Sequence, residues 1–277
     1  MRTRALLAFD ASGVSGALLG WSFGGMKVRG FARAALSPGA LTPSALEPNV
    51  ARRPEVAEAV GRVAADLGIG RARVTVLAPQ GVARLLLLDV PEGVDPDAFA
   101  RYRFADLPYP VAEAVVDVLP VPGGRVVAAA VRKLVVEDYE AVVAAASLEQ
   151  ERFDIASLAA LTALLKDSPR DELVLDVILG DVAYAMAAHR DGVLAALRHR
   201  LRDRRDGEAE RLRAEAERTA ALAGAPLGRV RVVGTGARAL IREWSAAGLD
   251  AGRGWRADGD GLPHDAAEIP WLGALLA

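Results

Sequence analysis

The sequence predicts an α/β protein of two unequal lobes, and three observations carry that prediction. A strand, an acidic turn and a hairpin open the chain and recur from residue 173, which points to an internal duplication. Short apolar runs of strand length alternate with stretches whose apolar residues recur at three- and four-residue steps, the mark of strands covered by helices. A β-α-β-β-α run over 81–150 interrupts the first lobe as a small subdomain.

The elements follow in order. A first strand spans 5–9, Asp10 to Ser15 turn into a second at 16–21, and Gly24-Gly25 turns into a third at 27–34. A Pro-rich polar loop over 37–49 precedes a helix over 54–67 with Val56, Val60, Val63 and Leu67 on one face, and a buried strand follows at 73–78. In the insertion, a strand at 85–90 stops at Pro91-Glu92-Gly93, and a short helix beginning after Asp95-Pro96 carries Phe99, Tyr102, Arg103 and Phe104. Strands at 114–119 and 125–131 are joined through Pro122-Gly123-Gly124, and a helix covers 135–146. A helix at 155–165 leads to Ser168-Pro169-Arg170-Asp171, the expected boundary. The first lobe is then 1–170, with its core at 1–80 and 151–170, and the second is 171–277. That second lobe has strands at 173–179, 182–188 and 193–197, and an Arg- and Glu-rich stretch over 198–222 that reads as a solvated helical pair. A strand at 230–233, the Gly234-Thr235-Gly236 loop and a helix at 237–247 follow, then a polar loop at 255–263 and an apolar closing segment at 269–276.

Composition narrows the function classes. Of 277 residues, 52% are hydrophobic and 25% charged, and Lys plus Arg (34) nearly cancel Asp plus Glu (36), so no global charge calls for nucleic acid. Cysteine is absent, which excludes disulfides, thiolate metal sites and cysteine nucleophiles. The opening apolar run is broken at Asp10 before signal-peptide length, and other apolar runs fall short of the ~20 residues of a membrane helix. His189, His199 and His264 are scattered with no ligand spacing, so neither zinc nor Ser-His-Asp chemistry is expected.

Three strand-following loops are candidates for anion contact. In Asp10-Ala11-Ser12-Gly13-Val14-Ser15-Gly16, small residues allow close backbone approach to a phosphate, with Asp10 beside a metal-bound water; an ordinary tight turn fits equally. In Asp176-Val177-Ile178-Leu179-Gly180-Asp181, an acid stands late in its strand, but Ile178 and Leu179 put bulk where phosphate needs bare amides. Gly234-Thr235-Gly236-Ala237-Arg238-Ala239 sits on a strand-to-helix junction suited to an anion or an adenine edge, though a glycine turn packing helix on sheet is the alternative. Its formal match to G-x-G-x-x-A lacks the βαβ unit that should follow. Tyr102, Phe104, Pro108 and Tyr109 either line a groove for an extended peptide or pack the small subdomain.

Taken together, these lobes and loops resemble the actin-like (ribonuclease H-like) ATPase superfamily, in the branch of the PilM-type pilus assembly proteins related to FtsA. The likeness rests on Leu6-Leu7-Ala8-Phe9-Asp10, on Arg103 to Pro110 with Asp117, on Val127 to Lys133, and on the closing Pro270 to Ala277. It implies a cytoplasmic scaffold, peripheral to the inner membrane through its partners, whose inserted subdomain helps grip the N-terminal tail of a PilN-like membrane protein. The partner-binding residues it implies are Tyr102, Phe104, Pro108 and Tyr109. It also implies ATP and magnesium, with Asp10, Ser12, Gly13, Ser15, Asp176, Gly234, Thr235 and Gly236 at the cofactor. This sequence departs from the pattern: Ser12 stands at a glycine position, Ala17 at a lysine, Ile178 at the second glycine, and the fourth subdomain is missing or minimal. A pseudo-ATPase scaffold is therefore expected. An active ATPase using Asp10 and Asp176, and a GspL-like secretion domain, are the alternatives.

Overall fold

The structure, a computed structural model, describes residues 3–22 and 25–254. The expected turn at Gly24, the loop at 255–263, the closing segment and His264 lie outside the described residues.

Two five-stranded sheets share one design. In the first, β1 (Thr3–Asp10), β2 (Gly13–Ser22) and β3 (Gly25–Ala35) form an antiparallel meander, and β4 (Arg73–Ala78) runs parallel to β1. Helix α1 (Arg53–Leu67) makes the crossover between β3 and β4. It lies close on β2 because Gly16 has no Cβ: one built there would stand 2.6 Å from a Val63 methyl carbon. β1 is buried on both faces, with Ala5, Leu7 and Phe9 toward α1 and Leu6 and Ala8 toward the second lobe, which explains its unbroken apolar run.

Between β4 and the rest of this sheet the chain builds a small subdomain. β5 (Ala83–Asp89), α2 (Pro96–Arg103), β6 (Ala114–Val121) and β7 (Arg125–Arg132) give a three-stranded antiparallel sheet in the order β5-β7-β6, backed by α2. Asp95 caps α2 by accepting the Ala98 amide at 3.2 Å, and Pro96 fits the first turn. Helix α3 (Lys133–Ala145), expected within the insertion, packs in the first lobe instead. Its Val135, Tyr139, Val142 and Val143 make one apolar stripe, which closes against Val56, Val60 and Val63 of α1. Strand β8 (Glu149–Ile155), which the sequence reading misses, then completes the sheet beside β4 in the order β3-β2-β1-β4-β8. It is an edge strand studded with Glu149, Glu151, Arg152 and Asp154, so it has no two-faced apolar pattern.

Helix α4 (Ala156–Lys166) lies between the lobes, its Leu161 and Leu164 sharing a core with Leu6 and Leu77 of the first sheet and Ile178, Ala185 and Val233 of the second. The second sheet repeats the first, with β9 (Leu173–Leu179), β10 (Ala183–Arg190) and β11 (Val193–Leu201) as meander and β12 (Arg229–Gly234) and β13 (Ala251–Arg253) as parallel partners. Its order is β11-β10-β9-β12-β13. Residues 198–222 are not a helical pair. Arg198 to Leu201 finish β11 in register with β10, a connection over 202–207 follows, and α5 (Glu208–Leu222) is a single helix. Helix α6 (Ala237–Ala246) joins β12 to β13.

Candidate functional site

The cleft between the lobes collects the ends of β1, β9 and β12, as expected of loops beyond the carboxyl ends of parallel strands. Asp10 closes β1, and its Oδ1 accepts both the Ser12 amide at 2.7 Å and the Ser12 hydroxyl at 2.5 Å. Arg33 donates to the Ser12 hydroxyl at 3.0 Å and stands 3.6 Å from Asp10. The first loop thus spends its acid, and one of the amides a phosphate would need, on itself. Gly13 opens β2 so close to β3 that an added Cβ would meet the Ala34 carbonyl oxygen at 2.6 Å. Ser15 is buried within β2, paired with Ala8, and does not reach the loop's mouth.

Asp176 is not in the cleft. It lies mid-strand in β9, fully buried, where Arg231 of β12 donates to it at 2.7 and 2.9 Å and the His189 Nε2 lies at 2.8 Å. The same guanidinium donates at 2.8 Å to the carbonyls of Leu164 and Asp167, satisfying the C-terminal end of α4. The Ser168 hydroxyl stands 3.0 Å from His189 Nδ1, so serine, histidine and aspartate form a row that sequence spacing does not reveal. A cavity of about 780 Å³ opens beside Ser168 and Arg231. The row is structural: Arg231 saturates the carboxylate, and Pro169 removes the amide that would follow the serine as an oxyanion donor.

The acid that does face Asp10 is Asp181, just past β9. Desolvation and then the Asp10 charge raise its pKa, while hydrogen bonds from the Thr235 hydroxyl and the Ala11 amide, with Arg204 at 4.0 Å, pull it back down. The signal was present in the sequence, as an acid directly after Gly180 at a strand end.

The third loop is built as a tight turn. Gly234 has φ 96°, and a Cβ there would lie 2.0 Å from the Leu179 carbonyl oxygen, so only glycine fits. Thr235 donates its amide to that carbonyl at 2.9 Å. Arg202, from the connection after β11, fills the space in front: its Nη1 donates to Gly180 O at 2.7 Å and Thr235 O at 2.8 Å, and its Nε to Glu208 at 2.5 Å. Its side chain is 5% exposed, and Nη2 stands 3.3 Å from where a Gly236 Cβ would be. In this arrangement the first loop's acid is hydrogen-bonded within its own loop, Asp176 is buried in an ion pair, and Arg202 stands in front of the glycine loop. Among the described residues no group of three or more metal-ligating side chains converges.

The inserted subdomain offers a different surface. Phe104 and Tyr109, expected to line a groove, are core residues around Ala100, Leu88 and Val116; Tyr102 and Pro108 are exposed. The Arg132 guanidinium stacks 5.5 Å from the Tyr109 ring centre and seals it. Val94, Leu201 and Leu222 are exposed elsewhere, and two further exposed apolar side chains share a face of β6. Val115 and Leu119 are 46% and 38% exposed on one strand face with Asp117 between them. Leu46 stands at one end of this strip and Val193 of the second lobe, against Gly123, at the other.

Arginines at the two ends of β7 fix that strip to both lobes. Arg132 donates to Leu46 O at 2.6 Å, and Arg125 donates to Leu194 O at 3.2 Å and Ala195 O at 2.8 Å. The loop bearing Leu46 is held by Asp138 of α3, which accepts the Asn49 and Val50 amides at 2.8 and 2.7 Å. As the outer strand, β6 is blunted: Asp117 occupies the Val118 amide at 2.9 Å and Pro120 has none.

Duplicated sheets of one order, a helix between them and an insertion after β4 define the actin-like ATPase fold. Among solved structures, the PilM-PilN type IV pilus biogenesis complex is similar with a TM-score of 0.75 at 18% identity, covering 99% of this chain and 96% of that one. The cytoplasmic domain of EpsL, an inner-membrane component of the Vibrio cholerae type II secretion system, is similar with a TM-score of 0.57 at 14% identity, over 100% and 96%. A Bacteroides thetaiotaomicron protein with an actin-like ATPase fold gives 0.60 at 11%, over 99% and 96%. No family model and no curated protein matches the sequence. No helix among the described residues is long and apolar enough to cross a membrane.

Proposed function

We propose that this chain is a cytoplasmic docking scaffold of a type IV pilus or type II secretion inner-membrane platform, holding the N-terminal tail of a PilN-like membrane protein and working without nucleotide turnover. The observation that carries the reading is a face of β6 with Val115 and Leu119 exposed, in a subdomain that Arg125 and Arg132 fix to both lobes beside the exposed Val193 and Leu46. An extended tail, whose side chains on one face repeat every second residue, can set apolar residues against Val115 and Leu119 and a polar or basic one against Asp117. The likeness to a fold solved with PilN supports the choice of partner. In this reading the protein joins the membrane only through that partner.

The test is a titration with a synthetic PilN-type tail peptide, read by fluorescence anisotropy. Val115→Asp and Leu119→Asp are expected to weaken binding by about tenfold or more, the equivalent of ~1.4 kcal/mol, while Tyr102→Ala leaves it unchanged. Equal binding by all variants, or none by the wild type, sinks the proposal.

A further inference from the structure

Arg202 behaves unlike the arginines around it. Arg205 and Arg211 pair with Asp203 at an exposed surface, whereas the Arg202 side chain is buried and spends its guanidinium on two loop carbonyls and Glu208. Those carbonyls belong to Gly180 after β9 and Thr235 after β12, the two turns of this lobe that face the cleft. Gly180 also packs against Gln80 of the first lobe, whose Nε2 donates to the neighbouring Ile178 carbonyl at 3.3 Å. A chain of contacts thus runs from the connection at 202–207 to both turns and, through Gly180, to Gln80 of the opposite lobe.

We infer that Arg202 is a ligand the chain supplies to its own cleft, a built-in plug that orders the second-lobe turns and locks the lobes in one arrangement with no nucleotide bound. The inference rests on the scaffold reading and explains how such a protein keeps an actin-like shape without the cofactor that its loops no longer fit. Glu208 sets the plug: it lies in the first turn of α5, where the helix favours an acid, and it aims the guanidinium.

Thermal melts of wild type, Arg202→Ala and the exposed control Arg205→Ala, with and without millimolar ATP and magnesium or ethylguanidinium, test this. The wild type and the control should melt together, unmoved by either addition. Arg202→Ala should melt lower by about 5 °C or more and be partly restored by ethylguanidinium, which refills the guanidinium seat. If Arg202→Ala does not fold, Arg202→Lys, which keeps the charge but not the fork, should fold and melt below wild type. An Arg202→Ala protein that melts with wild type, an Arg202→Lys protein that does so, or a wild type that ATP stabilises overturns the inference. The tail titration reads the β6 face separately, so loss of the plug and loss of docking are told apart.

Discussion

The two lobes answer the same topological question in opposite ways. In each, a meander is followed by a crossover helix, a parallel strand and a second β-to-α junction. In the first lobe that junction, between β4 and α3, opens into the subdomain bearing the apolar strip; in the second, between β12 and α6, it shrinks to Gly234-Thr235-Gly236 and is filled by Arg202. The connection after the meander differs likewise: at 36–52 a loop held by Asp138 presents Leu46, and at 202–207 a short link turns inward to plug its own lobe. One half of a duplicated fold thus carries an outward subdomain, while in the other the same junction is closed by Arg202.

The contrast is broken most severely at Arg231. Arg231→Ala leaves Asp176 buried without its cation and uncaps α4, and should cost about 3–5 kcal/mol in denaturant unfolding. A loss below about 1 kcal/mol would show that the buried row does not hold the second sheet to α4.

Next comes the outward half. Tyr109→Ala should cost about 3 kcal/mol and expose residues 83–132 to protease before the lobes, because Tyr109 belongs to the subdomain's own core. Tyr102→Ala, on an exposed side chain, should be silent. Equal effects from the two would erase the distinction between core and surface aromatics in this stretch.

These two predictions also mark where sequence reading succeeds and stops. Strand and helix existence was legible because β1 and β9 are apolar on both faces and α1 carries a helical stripe. β8 was not, since an edge strand needs only one covered face and carries charge on the other. The pairing of Asp176 with Arg231 joins neighbours across β9 and β12 that are 55 residues apart, and no local pattern announces it. Tyr102, Phe104 and Tyr109 look alike in sequence, and only the packing of the subdomain core, which takes in Phe104 and Tyr109 and leaves Tyr102 outside, separates them. The burial of Arg202 against both turns was not legible, because an arginine in a charged stretch reads as a solvated one.

A smaller effect sharpens the comparison where the outward subdomain meets the sealed lobe. His199 of β11 is buried near Gln80 and Arg84, and desolvation lowers its pKa from 6.5 to about 4. Its folded pKa lies below its unfolded one, so its contribution to stability is complete above pH 6.5 and is lost as pH falls from 6.5 to about 4. The loss should approach about 3 kcal/mol at the acid end. His199→Gln should flatten the pH dependence of unfolding in this window relative to wild type, and superimposed profiles would contradict the assignment.

The central claim is that docking belongs to the β6 face and owes nothing to the cleft. Its most direct test is the affinity of the wild-type protein for a PilN-type tail peptide, measured with and without millimolar ATP and magnesium. The account predicts dissociation constants that agree within about twofold; a change of tenfold or more, a coupling of ~1.4 kcal/mol between cleft and strip, would contradict it.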